Sequence, residues 1–366
     1  MVHAGVYYAP GSLKATLCTQ GRELLREACG RWDLPYDECG KLIVARRSSE
    51  IPRLRTLQQR AAANGVPGMR WLEGDAITEV EPHVAGVAAL HSPVTAIVEF
   101  VRLAQALSAD IERRGGKLLL GTEVTGFRHG MADVDVLTST GRVPADVAIL
   151  CAGLQSDRVA RLAGDVADPA IVPFRGEYYR LVAGRQELVR GLVYPVPDPR
   201  YPFLGVHFTR RVDGNVDVGP NAVLALGREA YRRGDVNWGD VYGLVSGVGF
   251  RRMARRHWRA GLREMKTSLS KKAFVAAASS YIPSLTAGDL VPAPAGVRAQ
   301  AVAASGDLVD DFELHFLGPV VAVRNAPSPA GHLVARHCPL PGPRLGREGL
   351  LGAGPQKGAR PADHLS

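Results

Sequence analysis

Between Val172 and Asn221 apolar and polar residues alternate, and this pattern restricts the chain more than any other stretch does. Tyr178 to Val182, Phe203 to Thr209 and Asn215 to Val218 each run with a period of two, separated by Pro and Asp-Gly turns. Such runs are expected to form successive antiparallel strands. Alternation places Gly205, His207 and Thr209 on one face and Leu204, Val206 and Phe208 on the other, so His207 stands apart from the packed side. If Arg175, Tyr178, Tyr194 and His207 converge on that open face, it offers a cation, phenols and a base suited to neutral pH. These are groups able to orient and deprotonate a small acid. The competing reading makes them rim and turn polar groups.

The rest of the composition excludes several classes. At 366 residues the chain can bury a large core, divided between two domains. It has no run of 18 apolar residues that could span a bilayer. Its first residues, MVHAGVYYAPGSLK, do not read as a signal peptide. Cysteines 18, 29, 39, 151 and 338 form no CxxC or metal spacing, which fits reduced thiols, a cytoplasmic setting and no metal site. The formal charge is +9, and Arg251 to Lys272 alone holds nine Lys/Arg against one Glu. Phe250, Met253, Ala254, Trp258, Leu262, Met265 and Leu269 recur there at helical spacing, so the segment reads as an amphipathic helix with a basic outer face. A solvated face is the first reading of that charge, and attraction to anionic lipid or acidic metabolites the second. Nucleic acid is not expected, because aromatic residues do not interleave with the charges.

Along the chain, Ser12 is expected to cap a helix carrying Leu13, Leu17, Leu24, Leu25 and Ala28. Lys41 to Arg46 and Val87 to His91 read as strands, and Glu50 to Asn64 and Phe100 to Arg114 as helices. Leu118 to Gly121 and Glu123 to Phe127 follow as strand and bend, then a hairpin around Gly141. Ala145 to Gly153 is an apolar run of the kind found in a parallel sheet buried on both sides. It ends in Gly153 just before a helix signal at Ser156, and strand, glycine, helix is how a backbone approaches a phosphate or flavin. Residues 331–366, with seven Gly and five Pro, read as disordered.

Several blocks together resemble one known family: HAGVYYAPGSLKA, CGKLIVA, NGVPG, CAGLQSDR, IVPFRGEYY, YPVPDPRYPFLGVHFT, VGPNAVLA, PAGVRAQA and VRNAPSPA. In this order, from about His3 to Ala330, they resemble the FAD-dependent L-2-hydroxyglutarate dehydrogenases and oxidases of the D-amino-acid-oxidase-like flavoproteins. The resemblance implies a mixed α/β fold, with an incomplete doubly wound FAD-binding domain (1–35, 100–168 and 291–330) interleaved with an antiparallel or mixed-sheet substrate domain (36–99 and 169–290). It implies oxidation of a 2-hydroxy dicarboxylate, with electrons passed to oxygen or to a quinone at a membrane. It makes Arg298 the binder of the substrate carboxylate and His207 the base. Arg175 or Tyr194 would hold the distal carboxylate, and His3, Val124, Gly153, Gly296 and Asn325 would surround FAD. Arg298 and His207 are then expected to share a hollow beside Gly153. The alternatives are an inactive, cofactor-less fragment of such an enzyme, or a relative acting on another hydroxy or amino acid.

Two departures accompany the resemblance. The family begins with a strand, a GxGxxG turn and a helix for the pyrophosphate. Here the nearest string, GAGPQKG at Gly352 to Gly358, has no strand before it, and His3 stands where the family is already some way in, so the start is expected to be truncated. After NAPSPA the sequence diverges from the helix expected there.

Overall fold

A computed structural model describes residues 1–198 and 204–327. In chain order its elements begin with α1 (Leu13–Arg31), β1 (Tyr36–Asp37), β2 (Lys41–Ala45), α2 (Ile51–Ala63), β3 (Arg70–Leu72), α3 (Asp75–Val80), β4 (Ala88–Ser92), β5 (Ile97–Val98) and α4 (Phe100–Arg113). Next come β6 (Val124–His129), β7 (Val134–Thr138), β8 (Gly141–Ala145), β9 (Ala148–Leu150), α5 (Ser156–Leu162), β10 (Ala170–Leu181), β11 (Leu192–Pro195), β12 (His207–Arg210), β13 (Val216–Gly219) and β14 (Val223–Leu224). Helices α6 (Trp238–Ser246), α7 (Val248–Leu269) and α8 (Lys271–Ala278) then lead to β15 (Leu290–Val302), β16 (Glu313–Leu317) and β17 (Val320–Asn325). The expected tail at 331–366 and the Phe203 start of the second alternating run lie outside the described residues.

A nine-stranded mixed sheet dominates, in the order β14-β10-β13-β12-β11-β2-β4-β3 with β15 also paired to β10. The alternating runs of the sequence are its centre: β12 pairs antiparallel with both β11 and β13, while β11 runs parallel to β2. One face packs against α8 in a core that includes Leu42, Val193, Phe208, Val218 and Phe274. Phe208 is fully buried there, and burying a side chain of that size stabilises by about 1.5–3 kcal/mol. With this face fixed, His207 is held on the other.

Smaller sheets lie beside the large one. Strands β16, β17 and β9 form one of them and β6, β7 and β8 another. Strand β9 pairs parallel with β17 as the apolar run suggested, but it is the last strand of its sheet among the described residues, and Ile149 is 48% exposed. The expectation of burial on both sides is therefore corrected: among the described residues β9 has one strand neighbour, and Ile149 faces outward. The expected strand at Leu118 to Gly121 is coil and turn with its leucines exposed, because no strand among the described residues pairs with them. Helix α1 begins as expected, with Ser12 Oγ accepting from the Ala15 amide at 3.1 Å.

Helix α7 corrects another expectation. Met253 is buried, but Trp258, Leu262, Met265 and Leu269 on its apolar stripe are exposed. The first turns pack against Val172 and Val302 of the sheet, and near the far end Ser268 bonds Glu177 of β10, but the apolar stripe between them is left open. Spacing predicted the stripe correctly, and tertiary packing leaves most of it uncovered.

Candidate functional site

The open face of the sheet brings together side chains far apart in sequence. Leu192 pairs with Thr209 and Val193 with Phe208, so Tyr194 stands beside His207, with ring centroids 4.0 Å apart. On the other flank His207 is opposite Gly219. Gly219 has φ +134°, and an added Cβ would lie 2.8 Å from the Glu177 carbonyl oxygen and 3.3 Å from Tyr178 Cδ1. A glycine is required here because its positive φ and the closeness of Glu177 and Tyr178 leave no room for a side chain.

The His207 ring is electronically defined by its neighbours. Nδ1 lies 3.0 Å from the Gly205 carbonyl oxygen, and a carbonyl can only accept, so Nδ1 carries the hydrogen and Nε2 keeps its lone pair. Burial, reinforced by the Lys41 charge, pushes the imidazole down to about 4 against the opposing bond to Gly205. The ring is neutral at physiological pH and competent to accept a proton at Nε2.

Around this pair lie two groups that strand patterning did not single out. Lys41, only 2% exposed at the start of β2, has its ammonium 4.4 Å from the Tyr194 ring centroid and 4.8 Å from that of Tyr7. Tyr7 Oη is buried and hydrogen-bonded to nothing among the described residues. The signal for Lys41 was a lysine inside the otherwise apolar KLIVA strand, where a charge has no structural reason to be.

Arg298 stands opposite Phe174 in the β10–β15 pair, and alternation along β10 puts Phe174, Gly176 and Tyr178 on one face. Burial lowers the pKa of Arg298, and the neighbouring Asp310 and Tyr178 oppose that shift. Asp310 in turn binds Lys14 Nζ at 3.0 Å, and Lys14 lies over the Tyr8 ring. His3 joins this side, its Nδ1 3.0 Å from Tyr8 Oη. The sheet face thus carries Arg298, Tyr178, His207, Tyr194 and Lys41, with the His3 to Lys14 segment along its border.

Arg175 is a correction. It is opposite Val297 and so points away from Arg298. Its Nη2 bonds Glu177 at 3.1 Å and its Nη1 the Arg232 carbonyl at 2.6 Å. Glu177 is itself held by Arg233, Asn221 and Ser268. Burial raises its pKa, but these bonds outweigh it and leave the carboxyl at about 2. Arg175 is thereby committed to an internal network. Glu177, Asn221 and Ser268 could not be read as its partners because they are dispersed in sequence.

The residues expected around FAD come from separate elements. Gly153 has φ +51° with open space where a Cβ would stand, in a turn packed against β10 and β15. Gly296 faces Gly176 at a register shift and is equally unobstructed. Asn325 Nδ2 donates to the Val309 and Asp311 carbonyls, bracing the loop that carries Asp310. Val124 opens β6 opposite Thr138, in a different sheet from the His207 face. The open glycine turn after β9 packs against β15, the strand of Arg298, and leaves space where a Cβ would stand, the kind of cradle a flavin ring needs. No glycine-rich dinucleotide turn occurs among the described residues. A separate cavity of about 420 Å³, lined partly by Asp157, Arg158, Arg228 and Asp240, holds charges that pair with one another: Arg228 with Asp157 and Arg158 with Asp240.

The mixed sheet, with the His207 imidazole and the Arg298 guanidinium on one face, is the candidate site. Solved structures share this fold. FAD-bound L-alpha-glycerophosphate oxidase from Mycoplasma pneumoniae is 21% identical with a TM-score of 0.72, over 92% of this chain and 81% of that one. Glycine oxidase from Geobacillus kaustophilus is 17% identical with a TM-score of 0.65, over 91% and 79%.

The sequence matches the FAD dependent oxidoreductase family over residues 1–336, and the chain belongs to that family. Curated relatives include the L-2-hydroxyglutarate dehydrogenase of Salmonella houtenae, 43% identical over 90% of this chain and 78% of that protein. The Escherichia coli K12 enzyme of the same name is 42% identical over the same shares, and the human mitochondrial one 41% over 90% and 75%. This chain is accordingly an FAD-dependent oxidoreductase.

Proposed function

We propose that the protein oxidises L-2-hydroxyglutarate to 2-oxoglutarate. The observation that carries this reading is the shared face of Arg298, Tyr178 and the neutral His207, in a chain whose curated relatives bear that activity in their names. Arg298 receives the carboxylate next to the reacting carbon, where a guanidinium fixes orientation as well as charge. His207 Nε2 takes the hydroxyl proton as hydride leaves the same carbon. FAD, when bound, supplies the hydride acceptor. His3, Gly153 and Gly296 would border it, and Tyr178 and Tyr194 exclude water from the reacting end. In this reading residues 1–35, 100–168 and 291–330 serve the flavin and residues 36–99 and 169–290 the substrate, although β15 is hydrogen-bonded into the large sheet. Anaerobic addition of L-2-hydroxyglutarate to the FAD-loaded protein is expected to bleach the flavin band and yield one 2-oxoglutarate per flavin. Equal bleaching by the D enantiomer, or none by either, rejects the assignment.

Delivery of electrons to a membrane acceptor, rather than to oxygen, is supported by α6 and α7. Trp238 and Tyr242 are each 77% exposed on α6, and Trp258, Leu262 and Leu269 are exposed on α7 beside Arg255, Arg259 and Lys266. Interfacial aromatics with flanking cations suit an anionic bilayer surface. None of the described helices is long and apolar enough to cross a membrane, so the contact is peripheral. The protein is expected to co-sediment with phosphatidylglycerol-containing vesicles. Replacing Arg255 and Arg259 with Glu should weaken partitioning by roughly fivefold or more for each charge lost. Salt-insensitive binding, or none, excludes this surface.

A further inference from the structure

With Arg175 engaged elsewhere, the distal carboxylate of a dicarboxylate substrate needs another partner. Lys41 is a cation buried to 2% exposure. Its ammonium faces two tyrosine rings, Tyr194 at 4.4 Å and Tyr7 at 4.8 Å, and no carboxylate among the described residues lies within ion-pair reach of it. Tyrosine faces attract a cation but do not neutralise it, and an unpaired buried charge is costly. Next to it Tyr7 Oη is a buried donor with nothing to donate to among the described residues. The ammonium beside the Tyr194 ring and the Tyr7 hydroxyl, within electrostatic reach of Tyr194, lack the same thing: an anionic acceptor.

We infer that Lys41 and Tyr7 form the subsite for the carboxylate distal to the reacting carbon, and that Lys41 makes the site select 2-hydroxy diacids over monoacids. The inference rests on the reading of the site given above. Strand β2 holds Lys41 parallel to Leu192 of β11, two residues before the partner of Tyr194, so a ligand at His207 lies within its electrostatic reach.

The titration of Lys41 agrees. Burial lowers the ammonium to about 7, and the Cys18 thiol opposes that shift. Tyr7, Tyr194, His207 and the amino terminus are the other titratable groups facing it. Without ligand, Lys41 therefore loses its proton above about pH 7. A bound carboxylate restores the charged form, so binding takes up a proton and weakens as pH rises from 7 towards 9.

The test compares L-2-hydroxyglutarate with L-2-hydroxypentanoate, which has the same chain length and an uncharged end, in the wild type, Lys41→Met and Lys41→Arg. Calorimetric binding of unreactive glutarate provides a readout independent of turnover. Lys41→Met is expected to raise KM for the diacid on the order of 100-fold, with kcat changed only a few-fold. The diacid-to-monoacid ratio of kcat/KM should fall by about that factor, glutarate binding should be lost, and Lys41→Arg should recover part of each. In the wild type glutarate should bind more weakly at pH 9 than at pH 7. Equal losses on diacid and monoacid, or glutarate binding that survives Lys41→Met, overturn the subsite. If Lys41→Met does not fold, the Lys41→Arg selectivity ratio and the wild-type pH dependence decide the matter. Failure of the wild type to turn over the diacid would reject the proposed reaction. The glutarate titration would still judge Lys41 by itself.

Discussion

Replacing His207 with Gln is expected to slow flavin reduction by about 10²- to 10⁴-fold, the range lost when a positioned base is removed. Gln preserves bulk and can still contact the Gly205 carbonyl, so the loss should appear in kcat with little change in KM or in flavin content. The pH profile gives a second check. The His207 imidazole must be neutral to accept a proton, and burial sets its value at about 4. The wild-type rate should therefore stay level from pH 8 down to about 5 and fall only below that. Stopped-flow reduction under anaerobic conditions measures both. A variant that reduces flavin at the wild-type rate removes His207 from proton transfer.

Replacing Arg298 with Ala should have a comparably large effect in the other kinetic parameter. Loss of one partner of a close charge pair costs about 2–5 kcal/mol, or roughly 30- to several thousand-fold in affinity. The substrate requirement should rise by that factor while bound flavin is unchanged. Arg298→Lys should recover only part of it, because an ammonium cannot reproduce a two-point contact with a carboxylate. Unchanged apparent affinity in the Ala variant eliminates Arg298 from the substrate site. The pattern separates it from Lys41: loss of Arg298 should penalise monoacids and diacids alike, whereas loss of Lys41 should penalise diacids far more than monoacids.

Much of this site was legible before any fold was known. A period of two in Phe203 to Thr209 is enough to set His207 against Phe208, because consecutive strand residues face opposite ways, and the packed Phe208 confirms which way. The same rule, applied to Phe174 and Arg175, shows that only one of the two faces Arg298, but it cannot say which without the register between β10 and β15. Arg175 was consequently assigned to a carboxylate in a substrate when its carboxylate is Glu177, two residues away on the same face. Lys41 was passed over because a lysine in an apolar strand has meaning only once its neighbours are known, and Tyr7 and Tyr194 are 34 and 153 residues distant in sequence.

Local chemistry in the sequence determined the strands, the Ser12-capped helix and the amphipathic stripe of α7, since hydrogen-bond geometry and side-chain period act between near neighbours. Family membership was likewise written in ordered blocks of residues. Pairing across long sequence separations was decided by the tertiary structure alone. It committed Arg175 to Glu177, left the Trp258 to Leu269 stripe uncovered and enclosed Lys41 between two tyrosines. The physical reason is that a buried charge takes its function from what surrounds it in space, and those surroundings come from distant parts of the chain.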